Sequence, residues 1–210
     1  MPRKPMLLFA DAQYTSPYAM SVFVALTEKR IPFELKTIDL DAGANREGDY
    51  ATRSLTQRVP TLVDGDFALS ESSAITEYLE ELRPDPALYP ADLKTRARAR
   101  QVQAWIRSDL LPIRQERSTN VVFYAPTDAP LSAAAQQAAG KLFKAADALL
   151  AHGGDHLFGS WTIADVDLAV MLNRLVLNGD DVPAALRAYA TRQWERESVQ
   201  GWVTLQRPPL

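Results

Sequence analysis

The 210-residue sequence predicts an α/β domain followed by an all-helical domain. Residues 1–83 contain both strand and helix signals, whereas residues 91–210 contain almost only apolar patterns with a helical period. Between them, residues 84–90 are punctuated by prolines and form the predicted linker. The length allows a large buried core, and 47% hydrophobic with 23% charged residues is typical of a globular protein.

The first elements of the α/β domain are a strand, a helix and a second strand. The apolar run at residues 6–9 predicts the first strand. Apolar residues at i, i+3, i+4 and i+7 from Ala19 predict a helix, and Pro17 suits its first turn. Ile31-Pro32 ends this helix, and the alternating residues 33–37 predict the second strand.

The rest of this domain is predicted to be a β-hairpin and a helix. Residues 41–53 are polar and predict a loop with a short helix. Asp64-Gly65 lies between apolar runs at residues 59–63 and 67–69, which is a strong hairpin signal. One apolar face predicts a helix over residues 72–83, so the order of elements is β-α-β followed by β-β-α.

The second domain is predicted to contain five helices, the first of them kinked at Pro112. They cover residues 91–117, 133–150, 162–177, 184–194 and 199–205.

Composition excludes several classes of function. The net charge of −3 gives no general attraction to nucleic acid or to an anionic membrane. No apolar run approaches the ~18 residues of a membrane span, and residues 1–5 are not followed by a signal core, so we expect a cytoplasmic protein. With no cysteine and two histidines, we expect neither a protein thiol nor a metal site.

Ser16 lies in the stretch YTSPYA, where the loop after the first strand meets the first helix. A serine at this point can cap the helix, or it can donate its O–H to an anion bound at the helix N-terminus. It could also be a nucleophile, which requires a base. There is no G-x-S-x-G motif, and His152 and His156 lie in a glycine-rich loop far along the chain.

Two further stretches allow a structural and a functional interpretation. Pro60 can open an edge strand; in a cis bond it would leave the N–H and C=O of Val59 open to pair with an extended peptide. Ser72 or Ser73 can cap the helix that follows. Alternatively, the Ser72 hydroxyl and the helix-start amides would hold a carboxylate, and Glu71 would hold an ammonium group.

The stretch Trp161-Thr162-Ile163-Ala164-Asp165-Val166 has a structural signature only. Thr162 and Asp165 have the spacing of a capping box, and Trp161 and Val166 have the spacing of a hydrophobic staple. We interpret it as the start of the most apolar helix of the second domain.

The order and spacing of these motifs resemble those of cytosolic glutathione transferases over essentially the whole chain. The most specific stretches, which are closest to the bacterial YfcF-like group, are RVPTL at residues 58–62, LSESSAI at 69–75, RARARQVQAW at 96–105, SDL at 108–110 and WTIAD at 161–165. The resemblance implies a thioredoxin-like N-terminal domain over residues 1–83, the linker 84–90 and an all-α C-terminal domain over residues 91–210.

The resemblance also implies a site for glutathione. It implies that Ser16 is the catalytic serine, which stabilises the thiolate of glutathione so that the ligand carries the nucleophile. It implies that Pro60 is cis, that Val59 pairs with the glutathione backbone, and that Glu71 and Ser72 hold the γ-glutamyl end. A basic residue, Arg46 or Arg58, would meet the glycine carboxylate.

The function implied is attack of the glutathione thiol on a small apolar electrophile, with reduction of organic hydroperoxides as a further activity. A homodimer is implied, with residues 74–82 and 91–107 at the contact. The alternative is a non-enzymatic binding or scaffold protein of the same fold. The intact set of Ser16, Val59-Pro60 and Glu71-Ser72 argues against it, and a serine hydrolase would need a histidine beside Ser16.

Overall fold

A computed structural model describes residues 4–210 of the chain. Residues 1–3 lie outside the described residues. They belong to residues 1–5, after which we expect no signal core. The described residues form two compact units. The first contains the residues up to Leu88 together with Glu197–Leu210, and the second contains Tyr89–Arg196.

The first unit has a four-stranded sheet with the strand order β2 (Phe33–Ile38), β1 (Met6–Asp11), β3 (Thr61–Asp64) and β4 (Phe67–Ser70). Strands β1 and β2 are parallel and joined through a helix, whereas β3 pairs antiparallel with both β1 and β4. The β-α-β and β-β-α order is therefore confirmed. The elements are β1 (Met6–Asp11), α1 (Pro17–Glu28), β2 (Phe33–Ile38), a 3-10 turn (Ala44–Arg46), α2 (Gly48–Arg53), β3 (Thr61–Asp64), β4 (Phe67–Ser70) and α3 (Ser72–Leu82).

The strand register brings four chain segments to one edge of this sheet. Asp11 is paired with Ile38, so β1 and β2 end together. Phe9 is paired with Thr61, and Thr61 is paired with Ser70, so β3 begins and β4 ends at the same edge. We call this edge the Asp11 edge.

The C-terminal helix α10 (Glu197–Val203) packs on α1 of the first unit. Trp202 is completely buried, and its ring lies 5.4 Å from that of Phe23 and 5.7 Å from that of Tyr14, centroid to centroid. The last residues of the chain are therefore part of the unit that contains the sheet, although they follow the helical region in sequence.

The second unit is all-helical, as predicted, and α8 forms its core because nearly all of its residues are buried. α8 packs against α4, α6 and α9. The helices are α4 (Leu93–Ser108), α5 (Leu111–Glu116), α6 (Asn120–Phe123), α7 (Ala133–Leu150), α8 (Ile163–Val176) and α9 (Ala184–Trp194).

The single kinked helix expected over residues 91–117 is wrong. α4 ends at Ser108, Leu110 adopts a left-handed conformation with φ of 60°, and a new helix begins at Leu111. Pro112 lies in the first turn of α5, where its missing N–H breaks no helical hydrogen bond. The proline therefore starts a helix instead of bending one.

The predicted capping box at the start of α8 is confirmed. The buried Asp165 carboxylate accepts hydrogen bonds from the N–H and the hydroxyl of Thr162, at 2.8 and 2.9 Å. It also accepts from the Leu157 N–H at 2.8 Å and from the Tyr189 hydroxyl at 2.9 Å. Burial, followed by the charge of Asp165, raises the pKa of Tyr189 well above its usual value. Tyr189 therefore stays a neutral donor to this cap.

Within residues 4–210, none of the helices has the length and apolar character that crossing a membrane requires.

Candidate functional site

The residues predicted to bind a ligand all lie in segments that meet the Asp11 edge. The loop after β1 leads to Ser16, and the chain after β2 leads to the 3-10 turn that ends at Arg46. The segment before β3 contains Arg58, Val59 and Pro60, and the end of β4 is followed by Glu71 and Ser72. The fold thus gathers residues from four separate stretches of sequence.

Ser16 is the N-cap residue of α1. Its backbone is extended, and its Oγ accepts a hydrogen bond from the Ala19 N–H at 3.2 Å. The next residue is Pro17, which has no N–H to satisfy. A hydroxyl that accepts with one lone pair still has its proton to donate. Capping and anion binding are therefore compatible roles for this side chain.

Asp11 holds the loop that presents Ser16. This carboxylate ends β1 and is only 2% exposed. Its Oδ2 accepts from the N–H of Thr15 at 2.7 Å and from the Thr15 hydroxyl at 2.8 Å. Its Oδ1 accepts from the N–H of Ser16 at 3.0 Å. These bonds fix the two peptide groups that flank Thr15.

The same loop is held from its other side by the C-terminal segment. Tyr14 has a φ of 51°, and its N–H donates to the Asp11 carbonyl at 3.1 Å, which closes a tight turn. The Tyr14 ring packs edge-on against Trp202. The Arg207 guanidinium donates to the Tyr14 carbonyl at 3.3 Å and to the Trp202 carbonyl at 3.1 Å.

The Val59–Pro60 peptide bond is cis, as the resemblance implies. Pro60 is buried and Val59 is half-buried, immediately before β3. The side chain of Asn45 donates to the Gln57 carbonyl at 2.7 Å and so links this segment to the 3-10 turn. Arg46 and Arg58, which flank this link, are both exposed.

Capping of α3 by Ser72 or Ser73 is wrong, because the N-cap residue is Glu71. Its side chain makes no capping hydrogen bond, and its φ of 72° with ψ of 112° is unfavourable for a residue with a Cβ. Such a conformation costs about 1–3 kcal/mol and is found mostly at functional sites. The N–H groups of the first turn of α3 therefore have no side-chain cap from Glu71, and the Ser72 side chain is buried beside them.

The serine-nucleophile alternative lacks a base. The imidazole of His152 contacts the Leu149 carbonyl at 3.1 Å, and that of His156 contacts the Gln193 amide at 3.3 Å. Both of these contacts lie within the helical unit, and among the described residues no hydrogen bond joins either ring to Ser16. In the part of the chain that the structure describes, no group of three histidine, cysteine or acidic side chains could hold a metal ion.

Sequence reasoning missed Asp11 and the role of the C-terminal segment. The available signal for Asp11 was an acidic residue that directly ends a buried apolar strand, four residues before a Thr-Ser pair. No local signal indicates that Trp202 and Arg207 reach Tyr14, because nearly the whole chain separates them.

Comparisons with known proteins agree with this fold. The family model described as "Glutathione S-transferase, N-terminal domain" matches residues 15–82. The model described as "Glutathione S-transferase, C-terminal domain" matches residues 92–207.

Two relatives match this chain over different lengths. The maleylacetoacetate isomerase of Dictyostelium discoideum is 32% identical over 81% of this chain and 80% of its own. Human glutathione S-transferase theta-2 is 36% identical over 47% of this chain, and the match spans only 40% of that relative's length.

A solved structure extends the likeness to the whole fold. The crystal structure of a glutathione transferase homolog from Burkholderia GL BGR1, determined with bound glutathione, has a TM-score of 0.78 and 48% sequence identity. The alignment covers 95% of this chain and 97% of that one. The two family models, the match to the maleylacetoacetate isomerase and this structure together establish that the chain belongs to the glutathione S-transferase family.

Proposed function

We propose that the protein is a glutathione transferase that binds glutathione at the Asp11 edge and activates its thiol with Ser16. The observation that carries this proposal is the hydrogen bond from the Ala19 N–H to Ser16 Oγ. It aims the hydroxyl at the start of α1 and leaves the hydroxyl proton for a ligand atom. The family membership and the Burkholderia homolog with bound glutathione support the choice of ligand.

The chemistry needed is stabilisation of a thiolate. A free thiol has a pKa near ~8.5, so at neutral pH most of it is protonated and unreactive. A hydrogen bond from Ser16 and the positive end of α1 both favour the charged form and lower the pKa of the thiol. The first turn of α1 contains no acidic side chain, and the Asp11 carboxylate at the Ser16 N–H opposes part of this effect.

The other predicted residues hold the rest of the ligand. The cis Val59–Pro60 segment offers the backbone groups of Val59 to the peptide part of glutathione. Glu71 binds the γ-glutamyl ammonium, and the Ser72 hydroxyl with the first amides of α3 binds its carboxylate. Arg46 or Arg58 binds the glycine carboxylate.

The bound thiolate supports two reactions. In conjugation it attacks an electrophilic carbon of a small apolar substrate, forms a C–S bond and displaces a leaving group. In peroxide reduction it attacks the outer oxygen of a hydroperoxide, which releases the alcohol and leaves glutathione sulfenic acid. A second glutathione then displaces water to give glutathione disulfide. The chain has no cysteine, so the protein itself forms no mixed disulfide.

Glutathione-dependent isomerisation is a second candidate, because a maleylacetoacetate isomerase is among the relatives that match most of the chain. In that reaction the thiolate adds to a conjugated double bond, the bond rotates, and the thiolate leaves again. An isomerase assay with maleylacetoacetate distinguishes it from conjugation.

Membership of the YfcF-like group, a cytoplasmic location and a homodimer stay predictions. For the dimer, exposed leucines lie on the expected contact segments, Leu82 on α3 and Leu93 on α4. A scaffold function would follow if glutathione failed to bind.

We expect Ser16→Ala to lower glutathione-dependent kcat/KM at least about tenfold, because the thiolate loses a hydrogen-bond donor. The lost cap should lower the free energy of unfolding by only about 1 kcal/mol. Turnover is measured with cumene hydroperoxide and with a chloronitrobenzene electrophile, and stability by denaturant unfolding.

Ser132→Ala is the matched control, because Ser132 caps α7 through an identical 3.2 Å bond from the Ala135 N–H. The Ser132 hydroxyl also donates to the Glu116 carboxylate, so this variant should lose at least as much stability as Ser16→Ala and keep its turnover. Full activity of Ser16→Ala would remove Ser16 from the mechanism.

We expect Glu71→Gln to weaken glutathione binding about tenfold while kcat at saturating glutathione changes less than threefold. The reason is that Glu71 contacts the ammonium end, remote from the sulfur, so its loss affects binding more than chemistry. Calorimetric titration measures the Kd, with Glu81→Gln, an exposed residue of the same helix, as control. Equal dissociation constants for wild type and Glu71→Gln would contradict this role.

We expect Asp11→Asn to lower both stability and turnover. In asparagine an NH₂ group takes the place of one carboxylate oxygen, and this NH₂ cannot accept a hydrogen bond from the N–H of Thr15 or Ser16. The expected loss in free energy of unfolding is about 1–3 kcal/mol. Asp92→Asn is the control, since Asp92 also accepts from the N–H and hydroxyl of a threonine, Thr95, but at the start of α4. Wild-type kcat/KM in Asp11→Asn would show that the loop keeps its geometry without this carboxylate.

A further inference from the structure

Four buried hydroxyl groups meet beneath the cis Val59–Pro60 segment. They belong to Tyr50 of α2, Ser54 at its C-terminal end, Thr61 of β3 and Ser70 of β4, and their exposed fractions are 6, 1, 0 and 7%. We call these four residues the hydroxyl cluster. No residue of the hydroxyl cluster is among those predicted to touch a ligand.

The hydroxyl oxygens of the cluster lie within hydrogen-bonding distance of one another, and each hydroxyl has one proton, so each donates to one partner at a time. The Oγ atoms of Ser54, Thr61 and Ser70 form a triangle with sides of 2.9, 3.0 and 3.1 Å. The Tyr50 hydroxyl joins it at 3.1 Å from Thr61. Burial is the main cause that raises the pKa of Tyr50, so this hydroxyl keeps its proton at neutral pH.

The hydroxyl cluster has one backbone acceptor in common, the carbonyl oxygen of Arg58. The Tyr50 hydroxyl donates to it at 2.8 Å. The Thr61 hydroxyl lies at 3.1 Å and donates its one proton either to this carbonyl or to Ser54 Oγ at 2.9 Å, and Ser54 Oγ lies 3.4 Å from the carbonyl. Two good donors are what the two lone pairs of a carbonyl oxygen can accept. The Arg58 carbonyl is therefore fixed toward the interior.

Fixing this carbonyl also fixes the N–H of the next residue. The Arg58–Val59 bond is not among the cis bonds of the described residues, so its C=O and N–H point in opposite directions in one plane. With the Arg58 carbonyl held against the hydroxyl cluster, the Val59 N–H points away from it. Rotation of this peptide plane would break the bonds from Tyr50 and Thr61 together.

We infer that the hydroxyl cluster positions the Val59 N–H for binding the peptide part of glutathione. Its members act through the Arg58–Val59 peptide, so they are positioning residues and not catalytic residues. Ser70 also precedes Glu71 directly, which connects the Val59 segment to the segment proposed to bind the γ-glutamyl end. This inference rests on the proposed function.

A purely structural role would not need hydroxyl groups here. Four buried hydroxyls lose their bonds to water and regain them only from one another and from one carbonyl, whereas an apolar core pays no such cost. What the polar arrangement adds is a single orientation of one peptide bond. Loss of one donor should therefore affect ligand binding beyond its effect on stability.

The test is calorimetric titration of reduced glutathione into wild type, Tyr50→Phe, Thr61→Val and Thr61→Ser, with kcat measured at saturating glutathione. We expect Tyr50→Phe and Thr61→Val to raise the Kd about fivefold or more, which corresponds to one lost hydrogen bond. Because the sulfur end is untouched, kcat at saturation should stay within about twofold. Thr61→Ser keeps the hydroxyl and should bind within about twofold of wild type.

Tyr89→Phe is the matched control, since Tyr89 is a buried tyrosine whose hydroxyl donates to Gln103 at 3.0 Å in the helical unit. It should lose stability comparably and keep its Kd. If Tyr50→Phe and Thr61→Val bind glutathione as tightly as wild type and Tyr89→Phe, the inference is overturned and the proposed function stands. If wild type itself does not bind, both fall. If Thr61→Val fails to fold, the nearly isosteric Tyr50→Phe decides alone.

Discussion

The carboxylate of Asp11 is the constraint on which the site depends. It ends the central strand β1 in a buried position and accepts three hydrogen bonds from Thr15 and Ser16. An ionised carboxylate forms strong bonds to N–H and O–H donors, and a buried one without them would be costly. The loop therefore has one favourable conformation, and in that conformation Ser16 begins α1. The C-terminal segment supports the same loop through Trp202 and Arg207.

The strand register places this loop beside the other segments of the candidate site. Because β1 ends where β3 begins and β4 ends, Ser16, the cis Val59–Pro60 bond and the strained Glu71 backbone belong to one edge of one sheet. Each segment supplies groups of a different kind: a hydroxyl at a helix start, the backbone of Val59, and a carboxylate at the start of α3 that makes no capping hydrogen bond. A zwitterionic peptide with a thiol needs these three kinds of partner at once.

Much of the fold could be predicted from sequence because its signals are local. Helical periodicity, the Asp64-Gly65 turn and the Thr162–Asp165 cap each depend on neighbouring residues, and all three are present in the structure. The long helix across Pro112 was missed because a proline can kink a helix or start one, and only tertiary packing decides. The contacts of Asp11, the hydroxyl cluster and Trp202 depend on strand register or on distant segments, which no local pattern encodes.

Under the proposed function, the protein lowers the pKa of the glutathione thiol through Ser16 and the start of α1. The most direct test is a pH titration of the thiolate absorbance of glutathione bound to wild type and to Ser16→Ala. Stabilising the charged form lowers a thiol pKa, so we expect a bound value below the ~8.5 of a free thiol. We also expect a higher value in Ser16→Ala than in wild type. A bound thiol that titrates in wild type at the value of free glutathione would show that the protein does not activate it.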